Sequence, residues 1–454
     1  MMMKNKVAAT FILTFLVTAG LIALYFFPPV KLGEDSLRKV DILADMRPEI
    51  IEVPDSDTVV SLVPVKPVFI DSCKTGMICI EDYSDSTGRG MDHFYKALSD
   101  LEILDRPVRI AYFGDSFIEG DIFTGDLRKM LQQKFGGCGV GYVPMASNVA
   151  GFRTTVKHTF GGWGSHCVTD TSYFDRSRQD ISNHYFVPRR GAYLSLKAVS
   201  GDSCQSSTVY FQSTDSVFLS AYINGSQEPF QFPLKGDSLL QSVTVHGSIR
   251  EIRWQVDRTD SLSTFYAATM DPVQGIIVDN FSTRGSSGIQ LKGIPMSVLR
   301  SYNRMRPYDL IVLQYGLNVA SDEVSNYSYY KETMNTVVRR LKTAFPNTSI
   351  LIVGVGDRDE KTETGELRTM RGVKNLIRYQ QALAAESHVA FWNLFDAMGG
   401  EGSMAEMVHS KPSMANYDYT HINSRGGRHL AKILYDVLLY GKEQYEKRKA
   451  YEKD

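Results

Sequence analysis

Ser116 closes an apolar run at the point where a strand would give way to a helix. The run Val108-Arg-Ile-Ala-Tyr-Phe is followed at once by Gly114-Asp115-Ser116. Gly114 permits a sharp backbone turn, and the N-terminus of a following helix offers free N–H groups to a developing anion. A hydroxyl delivered to a sheet edge in this way is placed to act as a nucleophile. Because Gly-Asp-Ser is also ordinary turn chemistry, the interpretation depends on its partners.

An acid and a histidine lie three residues apart near the C-terminus. Asp418 and His421 precede an amphipathic segment, and their spacing lets both side chains sit on one side of a single turn. A serine hydroxyl is a weak nucleophile unless a base removes its proton, and that base needs an acceptor on its other ring nitrogen. In isolation the pair is better explained by a capping aspartate beside a surface histidine. Together with Ser116, it favours a catalytic triad.

Two other predicted strand ends carry candidate donors for an oxyanion. One strand breaks into a glycine turn that contains Gly288, and another ends in Gly316-Leu-Asn318. Acyl transfer requires hydrogen bonds to the tetrahedral oxyanion, and the loss of one donor slows such reactions by about 10² to 10³. The N–H groups of Gly288 and Ser116 and the side-chain amide of Asn318 could form this set. The alternative is that both glycines merely end strands.

These four blocks, in this order, resemble the SGNH or GDSL-type family of serine hydrolases, whose name lists Ser, Gly, Asn and His. The resemblance covers residues 108–440, apart from a long insert. It implies that Ser116, Gly288, Asn318 and His421 take the four roles in the family name.

A further segment narrows the resemblance. Residues 389–404 read Val-Ala-Phe-Trp-Asn-Leu-Phe-Asp-Ala-Met-Gly-Gly-Glu-Gly-Ser-Met. This is similar to the Phe-Trp and Ala-Met-Gly-Gly-x-x-Ser-Met segment of bacterial cell-envelope members that act on O-acetyl groups of peptidoglycan or other polysaccharides. Two positions depart from the family pattern. Val319 replaces the acidic residue that usually follows the asparagine, which removes expected support for Asn318. Phe117 replaces the more usual Leu or His, which would reshape the pocket floor.

The alternation of apolar and helical segments predicts one α/β domain over residues 91–135 and 275–445, which the resemblance identifies as the SGNH hydrolase domain. Apolar, strand-like runs alternate there with helix-like segments. The predicted strands lie near 108–113, 275–280, 309–314, 349–355 and 389–394. About five parallel strands with helices on both faces make a flavodoxin-like three-layer sandwich. The candidate residues then fall at carboxyl ends of strands or in the loop before the last helix, where such sheets place their sites.

Residues 136–274 leave this pattern and predict an inserted β-rich domain. Strand-like runs between Gly, Ser, Asn and Asp favour a β-sandwich or jelly roll. Its aromatic side chains could stack on sugars and make the insert carbohydrate-binding, or they could fill its core. The segment Gly161–His166 could form a loop over the active site, with Trp163 as a candidate for substrate binding. Arg358, in a charge-dense loop, is a second candidate because it could contact an anionic substrate.

The N-terminal segment predicts where this chemistry takes place. Residues 7–27 carry no charge, and about 20 apolar residues cross a hydrocarbon core. Closely clustered lysines lie only on the N-terminal side of this run, and no small-x-small cleavage site follows it. We therefore expect a transmembrane signal anchor over residues 1–30, an extracytoplasmic linker over 31–90 and a polar tail over 446–454. The protein would be single-pass in the cell membrane, with its catalytic domain on the periplasmic or extracytoplasmic side.

The composition argues against several other functions. Fifty Lys and Arg against 51 Asp and Glu give a net charge of −1, so no general attraction to nucleic acid is expected. Neither Cys-x-x-Cys nor His-Glu-x-x-His spacing occurs, which argues against zinc, and serine hydrolysis needs no cofactor. Cys73 and Cys79 could close a disulfide loop in an oxidising compartment. The sequence does not choose between this pairing and five free thiols.

The sequence thus predicts a serine esterase that removes O-acetyl groups from a cell-envelope polysaccharide through an acyl-Ser116 intermediate, with Asp418 orienting His421. One alternative is an O-acetyltransferase that uses the same acyl-enzyme together with a membrane acyltransferase. Another is a non-catalytic glycan-binding protein, against which the retained Ser, Asn, Asp and His argue.

Overall fold

The computed structural model describes residues 6–25, 31–32, 35–36, 69–70, 72–85, 87, 89–170, 174–199, 203–259 and 262–453. The chain forms two compact units, Met1–Val68 and Phe69–Asp454. In the first unit, α1 (Lys6–Tyr25) occupies the charge-free segment, and β1 (Lys31–Leu32) pairs antiparallel with β2 (Asp35–Ser36). Most of the predicted linker lies outside the described residues.

The predicted transmembrane anchor is wrong. Within the described part of the chain, no helix is both long enough and apolar enough to cross a bilayer. Threonines punctuate α1 at one-turn intervals, and the hydroxyls of Thr14 and Thr18 donate to the carbonyl oxygens of Thr10 and Thr14 at 3.0 and 2.9 Å. The prediction rests on an absence of charge, which is a weaker criterion than sustained hydropathy along a helix of sufficient length.

The elements of the second unit follow in chain order. Its strands are β3 (Glu81–Asp82), β4 (Val108–Gly114), β5 (Gly141–Pro144), β6 (Val156–Cys167), β7 (His184–Ala198), β8 (Cys204–Ser213), β9 (Val217–Ile223), β10 (Phe230–Leu234), β11 (Asp237–Ile249), β12 (Glu251–Arg258), β13 (Thr264–Met270), β14 (Ile276–Ser282), β15 (Leu310–Gln314), β16 (Ser349–Val353), β17 (Asp359–Lys361), β18 (Leu367–Thr369) and β19 (Ala390–Trp392). Its helices are α2 (Asp92–Ser99), α3 (Thr124–Phe135), α4 (Met296–Met305), α5 (Ser328–Ala344), α6 (Arg371–Ser387), α7 (Leu394–Met398), α8 (Ser403–His409) and α9 (Ser424–Lys453).

A central six-stranded sheet has the order β14-β4-β15-β16-β19-β3. Its first five strands are parallel, and the short β3 runs antiparallel at one edge. Every residue of β15 and β16 is buried, as expected where helices cover both faces of a parallel sheet. Ser282, Gly114 and Gln314 lie side by side in the register of β14, β4 and β15. The carboxyl ends of these three strands therefore open onto one place.

The insert is one continuous antiparallel sheet of nine strands, which corrects the predicted two-sheet sandwich. The long β7 pairs with β6 along its length, with β12 through its second half and with β13 near its start. The sheet folds back on itself, since Trp254 Nε1 of β12 donates to Ser207 Oγ of β8 at 2.9 Å although β7 and β13 separate these strands. β7 continues through Pro188 and Gly191.

The insert leaves and rejoins the central sheet through a narrow neck. Ile276 N–H, at the start of β14, donates to Gly136 O, just after α3, at 3.0 Å. A Cβ atom on Gly275 would lie 2.4 Å from the carbonyl carbon of Gly136, so the two chain segments approach as closely as only glycine permits.

Buried ion pairs tie the insert to the central sheet beyond the neck. Arg306, which follows α4, donates to Asp271 of the insert at 2.9 Å and to Asp279 of β14 at 2.6 Å. Nearer the Ser116 turn, Asp121 accepts from Arg128 of α3 at 2.9 Å and from Arg153 of the insert at 2.7 Å. Because these charges are removed from water, their mutual contacts fix the geometry between the two parts of the unit.

Two disulfides are present. They join Cys73 to Cys79 and Cys138 to Cys204, and Cys167 is free. The first is the loop that the sequence suggested.

Candidate active site

Ser116, His421 and Asp418 meet at the carboxyl edge of the central sheet. Ser116 Oγ lies 3.1 Å from His421 Nε2. On the other side of the ring, His421 Nδ1 lies 2.8 Å from Asp418 Oδ2. A carboxylate accepts only, so Nδ1 carries a proton and Nε2 of the neutral ring is free to accept the serine proton. The side chains of His421 and Asp418 are 41% and 50% exposed, so the site is open to solvent.

Gly114 makes the serine turn possible for a steric reason. A Cβ atom at this position would lie 2.9 Å from the Ile118 side chain and 3.0 Å from the Gln314 carbonyl oxygen. The backbone of the turn can therefore pack against β15 only if residue 114 has no side chain.

The loop that carries the acid and the base is fixed by hydrogen bonds at both ends. Asp418 Oδ1 accepts from the His421 backbone N–H at 3.0 Å, and Asn416 N–H donates to His421 O at 2.8 Å. Tyr419 adopts a positive φ of 53°. Partial burial raises the pKa of Asp418, but the hydrogen bonds that it accepts, above all from His421, lower the pKa by more, so the net shift is downward. Asp418 is thus held as the anion that orients the imidazole.

The Ala-Met-Gly-Gly-x-x-Ser-Met segment has a structural role beside this loop. Asp357 Oδ2 accepts from Met404 N–H at 2.9 Å, and Asp359 Oδ2 accepts from Ala405 N–H at 2.6 Å. Both carboxylates thus cap the first turn of α8. Asp359 N–H in turn donates to Tyr419 O at 3.0 Å. The segment therefore supports the acid-base loop from behind.

The predicted oxyanion donors are assembled, but two of the three already have acceptors. Asn318 Nδ2 donates to Asp115 Oδ2 at 3.2 Å and to Ser286 O at 3.1 Å. Gly288 N–H donates to Ser286 Oγ at 3.1 Å. Among the described residues, the Ser116 N–H has no protein acceptor. An oxyanion would therefore bind the Ser116 N–H directly and compete with Ser286 and Asp115 for the other two donors.

Asp115 and Ser286 are site residues that the motif analysis missed. Asp115 is buried and accepts from the Phe117 N–H at 3.0 Å as well as from Asn318. Asp115 thus gives Asn318 a carboxylate contact. The family pattern led us to expect such support from an acidic residue at the position of Val319. Burial raises the pKa of Asp115 to about 6 against the opposing effects of the Phe117 N–H and of His421. The only sequence signal for this role is its place in Gly-Asp-Ser.

Gly288 has a left-handed backbone with φ of +85°. A Cβ atom there would lie 2.6 Å from the Tyr315 ring. Glycine is therefore required at this position by both conformation and space, whatever its N–H group does in a reaction.

A cleft of about 390 Å³ runs between the central sheet and the insert beside Ser116. On the side of the sheet it is lined by Gly120 and Thr283, and on the side of the insert by Asn148 and Arg153, among others. Thr283 N–H donates to Gly114 O at 3.0 Å, two residues before the serine. Glu119 and Gly120, which follow the Ser116 turn, line the cleft, whereas Ser116, His421 and Asp418 do not.

The other singled-out residues have different surroundings. Trp163 lies in β6, not in a loop over the site, and its Nε1 donates to Tyr193 O at 2.8 Å. Its neighbours Gly161 and Gly162 form a β-bulge against β7, which explains their loop-like appearance. Phe117 is buried in the central core and does not line the cleft. Arg358 donates to Leu317 O at 3.1 Å, next to Asn318, and its contact with substrate stays a prediction.

No protein-family model and no curated protein matches the chain. Among solved structures, it is similar to a peptidoglycan O-acetylesterase, with a TM-score of 0.66 and 21% identity over 80% of this chain and 99% of that chain. The predicted resemblance is confirmed at the level of the fold. Because the predicted hydrolase segments make up less than half of the chain, the likeness must extend into the insert.

Two further solved structures match more weakly. A family two carbohydrate esterase from Cellvibrio japonicus has a TM-score of 0.27 and 12% identity, over 68% of this chain and 99% of that chain. An acetyl xylan esterase has a TM-score of 0.27 and 14% identity, over 36% of this chain and 81% of that chain. At these scores neither contributes to the argument.

Proposed function

We propose that the chain is a serine esterase that removes O-acetyl groups from a cell-envelope polysaccharide such as peptidoglycan. The observation that carries the proposal is the continuous contact from Ser116 through His421 to Asp418 at a solvent-open sheet edge. The fold shared with a peptidoglycan O-acetylesterase supports the choice of ester.

The first half-reaction follows from the hydrogen-bond directions. Ser116 Oγ attacks the acetyl carbonyl carbon while His421 Nε2 takes the hydroxyl proton. Asp418 stabilises the resulting imidazolium through Nδ1–H. The oxyanion binds the Ser116 N–H and draws donors away from Ser286. When the tetrahedral intermediate collapses, His421 gives its proton to the departing sugar oxygen, which leaves acetyl-Ser116.

Water completes the cycle by the same groups. His421 removes a proton from a water molecule, which attacks the acetyl carbonyl carbon, and the proton then returns to Ser116 Oγ as acetate leaves. No residue outside the triad needs to change its protonation state.

A polysaccharide substrate fits the surroundings of the serine. The triad is open to solvent, and the neighbouring cleft has polar side chains on both walls. Disulfides persist in oxidising compartments, and two are present here. We place the enzyme on the extracytoplasmic side, where such a polymer is found.

Acetate release from O-acetylated peptidoglycan by the purified chain tests the proposal. We expect Ser116→Ala and His421→Ala to lower the rate by 10³-fold or more, roughly as triad removal does elsewhere. Ser226→Ala is the matched control, since Ser226 lies in an exposed turn of the insert. Undiminished activity of Ser116→Ala would exclude this nucleophile. Acetyl groups recovered on an added glycan acceptor, with little free acetate, would instead identify a transferase.

A further inference from the structure

The insert side of the cleft carries a thiol beside an imidazole. Cys167, the free cysteine, is the last residue of β6 and pairs directly across the sheet with His184, the first residue of β7. Side chains directly opposed in an antiparallel pair lie on one face, with Cβ atoms about 4.5–5.5 Å apart. Both residues line the cleft, as do Glu119 and Gly120, which follow Ser116 in the chain.

The orientation of the imidazole is fixed by the backbone. His184 Nδ1 lies 2.8 Å from Ser182 O, and a carbonyl oxygen can only accept, so Nδ1 carries a hydrogen. The other ring nitrogen is left for the Cys167 thiol, which the strand pairing places opposite the imidazole. This is the arrangement of an activated nucleophile, a thiol with a base whose far nitrogen is held.

The remaining neighbours of the thiol are polar. Cys167 Sγ lies 3.2 Å from Thr169 Oγ1, and Cys167 N–H donates to Asp170 Oδ2 at 2.9 Å. Both partners also line the cleft. An inert structural cysteine is usually buried among apolar side chains, whereas Cys167 is only partly buried.

The protonation equilibria of the two groups agree with this geometry. Burial raises the pKa of the Cys167 thiol, but the hydrogen bond and charge of His184 lower it, and the net shift is downward. Burial lowers the pKa of His184, but Cys167 raises it, and the net shift is upward. Both shifts favour a thiolate beside an imidazolium.

We propose that Cys167 is a site of covalent modification in the cleft and that its reagents are disulfides of low molecular weight. The Cys167 thiolate attacks one sulfur of a reagent R–S–S–R, forming a Cys167–S–S–R bond as the reagent's S–S bond breaks. The leaving thiolate R–S⁻ takes up a proton from solvent. The adduct occupies the cleft beside the serine turn and blocks a polymer chain more strongly than a small ester. This last step rests on the proposed esterase function.

The exchange chemistry is tested with oxidised glutathione and mass spectrometry at pH 7. We expect one glutathione per chain, on Cys167, added faster than to N-acetylcysteine. A lower thiol pKa raises the thiolate fraction more than it lowers the nucleophilicity of the thiolate. His184→Gln should reduce the rate to that of N-acetylcysteine. His166→Gln is the matched control, since His166 lies on the opposite face of β6 and stacks on Tyr185.

Two results would overturn the activated thiol. One is a wild-type rate no faster than that of N-acetylcysteine, a comparison that does not depend on any variant folding. The other is an unchanged rate in folded His184→Gln protein.

The effect on the cleft is tested by assaying the adduct. Glutathionylated protein should lose at least about tenfold in kcat/KM for O-acetylated glycan and much less for p-nitrophenyl acetate, and Cys167→Ser should be insensitive to oxidised glutathione. Equal losses on both substrates, or none on glycan, would contradict the blocked cleft. Failure of the proposed function would instead appear as no acetate release before modification, while the labelling rates would still be measurable.

Discussion

At the scale of single residues, the Asp115 carboxylate connects the serine turn to Asn318. One of its oxygens accepts from the Phe117 N–H and the other from the Asn318 amide. The contact orients the amide but also holds it away from any other acceptor. Two measurements separate these effects, one on the charge of Asp115 and one on the amide itself.

Burial of the Asp115 charge predicts a pH-dependent stability. Because its pKa is about 6 in the folded protein and 3.8 in the reference state, the folded form binds this proton more tightly. Ionisation therefore destabilises the fold, by an amount that grows as pH rises from 4 to 6 and then stays constant. The free energy of unfolding of wild type relative to Asp115→Asn should fall by about 3 kcal/mol across that window. Denaturant titrations at pH 4, 5, 6 and 8 measure this change. A stability difference that does not vary with pH would contradict the raised pKa of Asp115.

Asn318→Ala tests whether the amide serves the oxyanion. If Asn318 turns toward the oxyanion in the transition state, kcat should fall by about 10² to 10³ with little change in KM. Steady-state kinetics on p-nitrophenyl acetate measures both constants. A variant that loses stability but keeps its kcat would show that Asn318 only braces Asp115 and Ser286.

At the scale of elements, the loop with Asp418 and His421 depends on a neighbouring loop and helix. Thr369, at the end of β18, donates from Oγ1 to Asp357 Oδ1 at 2.8 Å and accepts from Gly402 N–H at 2.9 Å. It joins the acidic pair to the start of α8. Burial raises the pKa of both Asp357 and Asp359, so their hydrogen bonds from α8 and Thr369 offset a real desolvation cost.

Thr369→Val should therefore weaken both the fold and the reaction. The substitution keeps the shape but removes the hydroxyl, so we expect a loss of about 1–3 kcal/mol in the free energy of unfolding and a lower kcat, because the support of the Asp418–His421 loop is loosened. Thr343→Val is the control, since Thr343 is exposed and its hydroxyl donates to Arg339 O within α5. Thermal unfolding and kcat are the readouts. Equal effects of the two changes would refute the linkage.

At the scale of the whole molecule, the insert and the central sheet share buried charges. Arg306 is almost fully buried and contacts carboxylates on both sides of the junction. Removing this cation would leave Asp271 and Asp279 without the guanidinium that donates to both, and only the nearby charge of Arg109 would remain to offset theirs.

Arg306→Met should lower the free energy of unfolding by about 3–5 kcal/mol, the usual cost of breaking a buried ion pair from one side. Arg304 lies two residues earlier, on the exposed face of α4. Arg304→Met should change the free energy of unfolding by less than about 0.5 kcal/mol. Calorimetry of both variants measures the change. A wild-type stability in folded Arg306→Met protein would show that the junction is held by other contacts.

The sequence was most informative where periodicity and motif coincided. The five parallel strands and the position of Ser116 follow from apolar runs that end in polar residues, and Asp418 and His421 follow from their spacing before the last helix. The strands of the insert were harder to predict, because Gly161 and Gly162 lie where the register between β6 and β7 shifts and do not end β6. The hydrogen bond from the Asn318 side chain to Ser286 O joins residues 32 positions apart in the chain and carries no local signal.

The neck at Gly136 and Ile276 has a consequence for how such a protein can diversify. The two ends of a 139-residue excursion meet at the hydrogen bond between Ile276 and Gly136. The excursion can therefore lengthen, shrink or be exchanged without moving the strand that leads to Ser116, provided that the buried partners Arg153 and Asp271 are kept. Any exchange would replace one entire wall of the cleft at a stroke. Recombination at this neck would thus change the part of the cleft that the insert lines, while Asp418, His421 and Ser116 stay in place.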